Sequence, residues 1–472
     1  MERLKTDLLV IGAGSGGLSV AAGAVQMGAR VVLLEGGRMG GDCLNYGCVP
    51  SKALLAAAHA AHAHTHAARF GLTATAPKVD FAAVKDHVAG VVAQIAPHDS
   101  EERFAGLGVR VIREYGRFVS NTEVEAGQYR ITARRIVIAT GSSPLIPPIP
   151  GLDTVPFLTN ETLFDLRERP EHLLIIGGGP IGIEMAQAHR RLGCRVTVIE
   201  GARALGQDDP EMAAVVLKRL RNEGVEIVEE APAAQVSGTP GAIKIDTKDG
   251  RSFAGTHLLV AVGRRANTDK LNLDAAEIET TKTGIRVDAG MRTTNRRVYA
   301  IGDVAGGAQF THLAGYQAGV ILRPMLFGLP AKTSGDHIPR VTYTDPELAQ
   351  VGLTEQQARA RYGDRLEVVR VDLSAIDRAV ATHETDGFIK VMVVRGRPVG
   401  ASIVGAGAGE QIALWALAIA AGLKMRHVAG MVAPYPTVGE IGKRAAGAYF
   451  SPRLFDNPRV RKIVGLVQRW LP

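Results

Sequence analysis

Residues 40–52 read GGDCLNYGCVPSK and contain two of the chain's three cysteines, Cys43 and Cys48. Pro50 predicts a helix start, and the Ala- and Leu-rich run over residues 52–69 predicts the helix itself. Cys48 would then lie at a helix N-terminus, where the positive end of the helix dipole favours thiolate over thiol. The stretch therefore predicts a reactive cysteine.

Redox chemistry competes with three other interpretations of the cysteine pair: a structural disulfide, half of a zinc site, and coincidence. A structural disulfide is disfavoured because the chain has so few cysteines and because we expect no secretory signal. A zinc site would need further ligands, and His59, His62 and His66 are the nearby candidates. Redox chemistry is favoured, since Lys52 adds a cation close to Cys48.

Composition limits the remaining choices. A chain of 472 residues is too long for one core and predicts several domains, and 55 glycines suit an α/β protein with many tight turns. No apolar run is long enough to span a bilayer, so we expect a cytoplasmic protein. The formal charge of +8 favours anionic partners, which phosphate-bearing cofactors would satisfy. Nucleic acid is disfavoured because no basic run is interleaved with aromatic residues.

Two glycine-rich loops each follow an apolar strand and precede a helix. The first strand, residues 7–11, leads into Gly12, Gly14 and Gly17, and the next strand ends in Glu35. The second copy has a strand over residues 173–176, a strand over residues 196–199, and four marked positions: Gly177, Gly179, Gly182 and Glu200. Each copy is a dinucleotide fingerprint, with the pyrophosphate at the helix N-terminus and the acid on the ribose. A plain tight turn is the alternative for the first loop.

Glu200 bears on the choice of nicotinamide. A carboxylate at that strand end accepts from a 2′-hydroxyl and repels a 2′-phosphate, which favours NADH. Arg203 is close enough in sequence to weaken this preference. We predict NAD(P)H as the second dinucleotide, with NADH favoured.

The whole pattern resembles the class I pyridine nucleotide-disulfide oxidoreductases, which include dihydrolipoamide dehydrogenase, glutathione reductase and mercuric reductase. The resemblance is carried by Cys43, Cys48, Pro50, Ser51 and Lys52 together, and it extends from Asp7 to about Phe450. It implies an α/β fold with two Rossmann-like domains and a C-terminal α+β dimerisation domain. The expected ranges are 1–147 and 270–335 for FAD, 148–269 for NAD(P), 336–450 for the interface domain, and 451–472 for a tail.

The resemblance also implies residue roles. Cys43 and Cys48 would form the redox disulfide, with Cys48 nearest the flavin and Cys43 facing the substrate. Lys52 would lie beside the flavin and pair with Glu184. Beyond the two fingerprints, the remaining cofactor contacts are expected at Gly41, Gly116, Thr140, Gly141, Gly263, Asp303 and Thr311.

The chain departs from the family near its C-terminus. Dihydrolipoamide dehydrogenases and glutathione reductases place a proton-relaying His there, with a Glu five residues later, and this His acts across the dimer interface. Here Tyr435 stands at the His position and Glu440 is kept. A phenol with a pKa of ~10 is a poor base at neutral pH, which puts lipoamide or glutathione turnover in doubt.

A tyrosine at this position is similar to mercuric reductase, although the cysteine pair that usually ends that enzyme is not found in residues 451–472. We therefore predict a homodimeric, mercuric reductase-like enzyme that passes electrons from NAD(P)H through FAD and the disulfide to a thiophilic acceptor. A disulfide, Hg(II) or another thiophilic metal ion, or a quinone-like oxidant remains open. A dihydrolipoyl dehydrogenase-type enzyme is one alternative, and a flavin-bound redox sensor without turnover is another.

Two further features carry weaker hypotheses. His59, His62 and His66 fall on one helical face, and we interpret them as partly exposed side chains, with no metal site predicted. In the tail, apolar residues recur at helical spacing, and we place them opposite four basic residues: Arg459, Arg461, Lys462 and Arg469. This predicts a basic amphipathic helix that packs on its own subunit or on the dimer partner, with membrane-surface binding as the alternative.

Overall fold

The computed structural model describes residues 1–471. The first 144 residues form helices and strands in the order β1 (Glu2–Ile11), α1 (Ser15–Gln26), β2 (Val31–Leu34), α2 (Gly41–Asn45), α3 (Cys48–Thr65), α4 (Phe81–Ile95), α5 (Glu101–Gly106), β3 (Arg110–Ile112), β4 (Arg117–Phe118), β5 (Glu123–Ala126), β6 (Tyr129–Ile138) and β7 (Ser142–Pro144). Strands β3, β2, β1 and β6 are parallel neighbours, and β5 and β4 extend the sheet antiparallel. The apolar parts of the inner strands, residues 8–11 of β1, 31–34 of β2 and 136–138 of β6, are buried on both faces, as their continuous apolar sequences require.

Two helix boundaries differ from the sequence prediction. Helix α3 starts at Cys48, before Pro50, because a proline in the first turn gives up only an N–H that has no partner within the helix. The sequence of residues 77–105 also predicts a single second helix, and this prediction is wrong. Helix α4 ends at Ile95, a short 3-10 turn containing Pro97 follows, and α5 begins after its cap residue Ser100.

The next segment forms a second parallel sheet. Its elements are β8 (His172–Ile176), α6 (Pro180–Arg191), β9 (Arg195–Ile199), α7 (Pro210–Asn222), β10 (Glu226–Val228), β11 (Ala233–Thr239), β12 (Ala242–Thr247), β13 (Ser252–Gly255), β14 (His257–Val260) and β15 (Arg264–Ala266). The parallel order is β10-β9-β8-β14, and β11–β13 make a separate antiparallel sheet. Strand β15 pairs with β7, which ties this segment to the first one.

The chain then returns to the first sheet. Strand β16 (Val298–Ala300) pairs in parallel with β6, and α8 (Thr311–Phe327) packs against α1. The packing is close, since a Cβ on Gly16 would lie 3.3 Å from the Ala314 Cβ. The first sheet is therefore built from two separated parts of the chain.

The C-terminal segment is an antiparallel sheet with helices. Its elements are β17 (Arg340–Thr342), β18 (Glu347–Gly352), α9 (Glu355–Tyr362), β19 (Leu366–Asp372), α10 (Asp377–Ala381), β20 (Phe388–Val394), β21 (Arg397–Gly405), α11 (Ala408–Ala420), α12 (Met425–Ala429), α13 (Glu440–Phe455) and α14 (Pro458–Trp470). The strand order is β17-β18-β21-β20-β19, and Trp415 of α11 is fully buried in its core. The predicted α/β class with this third, α+β unit is confirmed.

The sequence of this last unit predicts strands near residues 366–373, 387–394 and 399–405 and an apolar helix over about 409–422. These predictions agree with β19, β20, β21 and α11. Within residues 1–471, no helix is both long enough and apolar enough to cross a membrane.

Lys390 is a buried cation that joins the second and third units. Its Nζ lies 3.1 Å from Asp209, 2.7 Å from Glu211 and 2.9 Å from Glu355, and only 5% of its side chain is exposed. Asp209 is also the N-cap of α7, where it accepts a hydrogen bond from the Glu211 N–H. Removing the ammonium would leave buried carboxylate charge without its counter-ion.

We expect Lys390→Met to lower the free energy of unfolding by about 3 kcal/mol, because breaking a buried ion pair from one side leaves the other charge uncompensated. Urea unfolding of the flavin-loaded protein measures the loss. Lys244→Met is the matched control, since Lys244 pairs with Asp246 at the surface, and should cost less than about 1 kcal/mol. Equal losses in the two variants would contradict the role given to Lys390.

Candidate active site

The first glycine loop leaves room for a ligand at the start of α1. Gly12 has a φ of +105°, and a Cβ there would lie 2.4 Å from the Ala139 carbonyl oxygen. A Cβ on Gly17 would lie 1.9 Å from the Gly12 carbonyl oxygen, whereas one on Gly14 would meet nothing within 4 Å. Gly41 also approaches this loop, since its Cβ would lie 2.8 Å from the Gly14 Cα. The open side of Gly14 faces a helix N-terminus, which suits an anionic pyrophosphate.

The second loop repeats this construction in front of α6. Gly177 has a φ of +114°, with the Ala261 carbonyl oxygen 2.4 Å from a Cβ placed there. A Cβ on Gly182 would lie 2.0 Å from the Gly177 carbonyl oxygen, and one on Gly179 would again meet nothing within 4 Å. Both loops therefore fit a dinucleotide in the same way.

The two fingerprint acids hold the glycine loops through backbone N–H groups. Glu35 accepts hydrogen bonds from the N–H groups of Ala13 and Gly37, each at 2.6 Å. Glu200 accepts from Gly178 at 2.6 Å and from Ala202 at 2.8 Å. A carboxylate has about four acceptor positions, so each acid keeps capacity for ribose hydroxyls.

The two cysteines lie on consecutive helices and face each other as free thiols. Cys43 is in α2, Cys48 is the first residue of α3, and their side chains share a hydrogen bond. The Cys48 Sγ also lies 3.5 Å from the Oγ1 of Thr311, the first residue of α8. The predicted position of Cys48 at a helix N-terminus is thus confirmed.

The thiols are electrostatically unequal. The hydrogen bond from Cys43, together with Thr311 and the charge of Lys52, lowers the pKa of Cys48 to about 6. The same hydrogen bond, burial and the neighbouring Cys48 thiolate raise the pKa of Cys43 well above its ordinary value. Near neutral pH the pair therefore holds one thiolate, on Cys48, and one proton, on Cys43.

Lys52 and Glu184 form the predicted contact. The Lys52 Nζ is 2.8 Å from the Glu184 Oε2, and only 6% of the Glu184 side chain is exposed. The second carboxylate oxygen accepts from the Tyr343 N–H at 2.9 Å, and the Lys52 Nζ lies 4.4 Å from the centroid of the Tyr343 ring. No local sequence pattern predicts that Tyr343 makes these contacts.

Asp303 follows β16 and belongs to a second polar group. It accepts a 2.6 Å hydrogen bond from the Ser142 hydroxyl, and burial raises its pKa. Arg264 lies 3.9 Å from Asp303 and 2.9 Å from Asp42, the residue before Cys43. Arg264 thus links this group to the cysteine loop. The sequence singled out neighbouring Gly263, and only the fold shows that the arginine makes the contact.

Three other predicted cofactor positions lie around this group. The Thr140 hydroxyl donates to the Asn267 carbonyl at 2.7 Å, and the Gly141 carbonyl accepts from the Asn267 N–H at 3.0 Å. The Gly263 carbonyl accepts from the Leu145 N–H at 2.9 Å. These bonds hold the crossing between the first two units. Gly116 lies behind β2, where a Cβ would come within 2.8 Å of the Leu34 side chain.

Over the residues that the structure describes, neither Tyr435 nor Glu440 shares a hydrogen bond with the cysteines. The Tyr435 side chain is exposed, and its hydroxyl donates to Asp377 at 2.9 Å, which raises the pKa of the phenol. Glu440 instead accepts from the Thr437 N–H at 3.5 Å. Among residues 1–471, none of the hydrogen bonds joins Tyr435 to Glu440. The family motif kept at Glu440 would have that carboxylate orient the side chain at position 435, and it does not predict the contact with Asp377.

The histidine face of α3 meets charged side chains of other elements. His59 lies 3.4 Å from Asp345, and the hydrogen bond between them raises the pKa of His59. Burial lowers the pKa of His62 to about 3. The rings of His62 and His66 are 3.9 Å apart. In the part of the chain that the structure describes, no group of three or more His, Cys, Asp or Glu side chains is placed to hold a metal ion. The third cysteine, Cys194, comes just before the second strand of the second fingerprint and is predicted to be a small core residue. It is fully buried, which confirms this prediction.

The chain is similar to known proteins over most of its length. The family model described as "Pyridine nucleotide-disulphide oxidoreductase" matches residues 6–318, and the dimerisation domain of the same family matches residues 338–446. A mercuric reductase from Lysinibacillus sphaericus is 36% identical, covering 93% of this chain and 82% of the relative. A dihydrolipoyl dehydrogenase from Geobacillus stearothermophilus is 35% identical, covering 94% and 96%.

Solved structures show the same likeness. The flavoprotein disulfide reductase RclA from Escherichia coli, solved as a Cu(II) complex, superposes with a TM-score of 0.84 at 29% identity, covering 93% of this chain and 99% of that one. LpdA from Mycobacterium tuberculosis superposes with a TM-score of 0.87 at 25% identity, covering 94% and 99%.

The low pKa of Cys48 gives a direct prediction. Alkylation of the reduced protein by iodoacetamide at Cys48 should have a midpoint near pH 6, because only the thiolate reacts and it is lost as the pH falls through the pKa. Lys52→Met should move the midpoint upward, because the nearby positive charge is removed. Lys78→Met, at an exposed lysine elsewhere, should leave it unchanged. A wild-type midpoint near the ordinary cysteine pKa of about 8.5 would refute the asymmetry.

Proposed function

The chain belongs to the pyridine nucleotide-disulphide oxidoreductases, and from this premise we propose that it is an NADH-dependent reductase whose electron acceptor is a thiophilic metal ion. Family membership makes it an FAD- and NAD(P)-dependent oxidoreductase with a disulfide redox centre, so a sensor without turnover is not supported. The dimerisation domain supports a homodimer. The acceptor and the choice of NADH are the parts that we propose.

The chain has a fitting place for each cofactor. We assign FAD to the first glycine loop, with Glu35, Asp303 and Thr311 around it, and the nicotinamide dinucleotide to the second loop with Glu200. When bound, FAD supplies the two-electron chemistry that connects nicotinamide to the cysteine pair. The protein's part is to position Lys52 and Glu184, to keep Cys48 as a thiolate, and to keep the proton on Cys43.

The single observation that carries the choice of acceptor is the state of Tyr435. Its hydroxyl donates to Asp377 and its pKa is raised, so the phenol stays protonated and unreactive as a base near neutral pH. Exchange between the dithiol and an organic disulfide needs a group that accepts and returns a proton, and such a group contributes about 10²–10⁴-fold. Tyr435 cannot supply that contribution.

Reduction of a thiophilic metal ion does not need a group that returns a proton to the acceptor. Soft ions such as Hg(II) bind thiolates, Cys48 already is one, and Cys43 needs to lose only one proton. The overall reaction balances as NADH + Hg²⁺ → NAD⁺ + H⁺ + Hg⁰, with no proton delivered to the acceptor. With Cu(II), two ions would each take one electron. The similarity to mercuric reductases and to a structure solved as a Cu(II) complex supports this class of acceptor.

A dihydrolipoyl dehydrogenase-type activity is the competing function. It is favoured by the 35% identity to that enzyme from Geobacillus stearothermophilus and by the presence of Glu440. Both functions share the fold, the cofactors and the cysteine pair. The two functions differ in whether the protein supplies a base at position 435 that relays a proton to and from the dithiol.

Steady-state NADH oxidation with Hg(II), Cu(II), lipoamide, oxidised glutathione and a quinone tests the proposal. We expect a metal ion to be the best acceptor. We expect Tyr435→His to raise lipoamide turnover by at least about tenfold, the lower part of the range for a positioned base. Tyr435→Phe is the matched control, because it keeps the ring without adding a base, and should not raise lipoamide turnover. Rapid lipoamide turnover by the wild type, together with a slower His variant, would overturn the proposal.

The preference for NADH rests on Glu200. Replacing Glu200 by Gln keeps the shape and an acceptor oxygen but removes the negative charge that repels a 2′-phosphate. The ratio of kcat/KM for NADPH to that for NADH should rise by about tenfold or more. Glu171→Gln, at an exposed position before β8, should not change the ratio. An unchanged ratio in Glu200→Gln would show that this carboxylate does not select the nicotinamide.

A further inference from the structure

Within residues 1–471, the last helix contacts the preceding helix α13, and every residue of α14 except the half-buried Val460 is exposed. None of the residues of α14 is buried, although it is capped properly at its start, where the Asn457 side chain accepts from the Arg459 N–H. Large apolar side chains are left in water along it: Ile463 is 60% exposed and Trp470 81%. The sequence expectation that this helix packs on its own subunit is therefore not met. We propose that α14 binds the surface of an anionic lipid bilayer and makes the enzyme a peripheral membrane protein.

The helix is divided into an apolar and a cationic side. At 3.6 residues per turn, one side carries Val460, Ile463, Val464, Val467 and Trp470, and the other carries Arg461, Lys462, Gln468 and Arg469. Arg459 shares the side of Trp470, which corrects its placement in the sequence analysis. It lies in the first turn, where a long side chain can reach past the apolar surface to water. A helix with this division lies in the plane of an interface, with its apolar side in the acyl boundary.

The charge of the segment favours lipid over protein as the occupant. Residues 457–471 contain Arg459, Arg461, Lys462 and Arg469 and not one acidic residue. A surface of anionic headgroups complements this charge along its whole length. The tryptophan near the end of the helix has the amphipathic ring that is enriched at membrane interfaces.

The position of α14 in the chain argues in the same direction. The dimerisation domain matches residues 338–446, and α14 begins at Pro458. Other apolar side chains are exposed within the matched range, among them Leu417, Val432 and Tyr435. In the homodimer, the second subunit can therefore cover these apolar side chains of the dimerisation domain without contacting α14.

Trp470 makes the proposal measurable. The chain has two tryptophans, and the other, Trp415, is fully buried. The FAD-loaded protein would be mixed with vesicles of phosphatidylcholine containing one quarter phosphatidylglycerol, and with vesicles of phosphatidylcholine alone. We expect co-sedimentation at least tenfold stronger with the anionic vesicles, a blue shift of the Trp470 emission, and release by high salt.

Two sets of substitutions locate the contact. Ile463→Ser with Val467→Ser, and separately Arg461→Gln with Lys462→Gln and Arg469→Gln, should each weaken vesicle binding at least tenfold. The matched control removes the same charge elsewhere, at the exposed Lys78, Lys248 and Lys282, and should bind as the wild type does. NADH oxidation without vesicles should be equal in all variants, because these residues lie outside the active site.

Three results would overturn the proposal. One is absence of binding to the anionic vesicles. The second is binding that the α14 substitutions leave unchanged. The third is a Trp470 emission that is already blue-shifted and protected from acrylamide quenching without vesicles, together with dissociation of the Ile463→Ser, Val467→Ser variant into monomers. That result would show that α14 packs on the partner subunit.

Discussion

The ion pair between Lys52 and Glu184 is the contact on which the arrangement of the active site depends. Glu184 is buried, and a buried carboxylate is stable only if its oxygens are paired. One oxygen is paired by Lys52 from the cysteine helix α3, and the other by the Tyr343 N–H from the C-terminal unit. Since Glu184 itself lies on α6, satisfying one side chain brings all three units together beside Cys48.

The two glycine loops are built in the same way, because each must pack tightly on its strand and helix and still leave space for a dinucleotide. In each loop, one glycine crosses close to a carbonyl oxygen of a neighbouring strand, one lets the helix pack on the loop, and the middle one is open. The acid at the next strand end then holds the loop through two backbone N–H groups. The glycine loop and the acid that would bind the ribose therefore form one hydrogen-bonded unit, and the fingerprint predicts the two together.

Much of this could be predicted from sequence, because the decisive signals are local. The position of Cys48 at a helix start depends on its neighbours in the chain, and the fingerprints depend on a strand, a loop and a helix in succession. The Lys52–Glu184 pair joins distant residues and was predicted only through the family resemblance. The contacts of Tyr343 with Glu184, of Arg264 with Asp42 and of Tyr435 with Asp377 join residues far apart in sequence, and no local pattern marks them. The single helix predicted over residues 77–105 failed because Pro97 ends α4 and Ser100 caps a new helix.

The proposal of a thiophilic acceptor depends on the unequal ionisation of the two cysteines. The most direct test of that ionisation is to count the protons released when a metal ion binds. Cd(II) binds thiolates as Hg(II) does but is not reduced by NADH, so it reports binding alone. The anaerobically reduced enzyme would be titrated with CdCl₂ in a pH-stat at pH 7.5, with the Cys43→Ser, Cys48→Ser double variant as the blank. If Cys48 is a thiolate and Cys43 holds a proton, one proton should be released per metal ion bound. Release of two protons would show that neither thiol is ionised at rest, and would contradict the asymmetry on which the proposed chemistry rests.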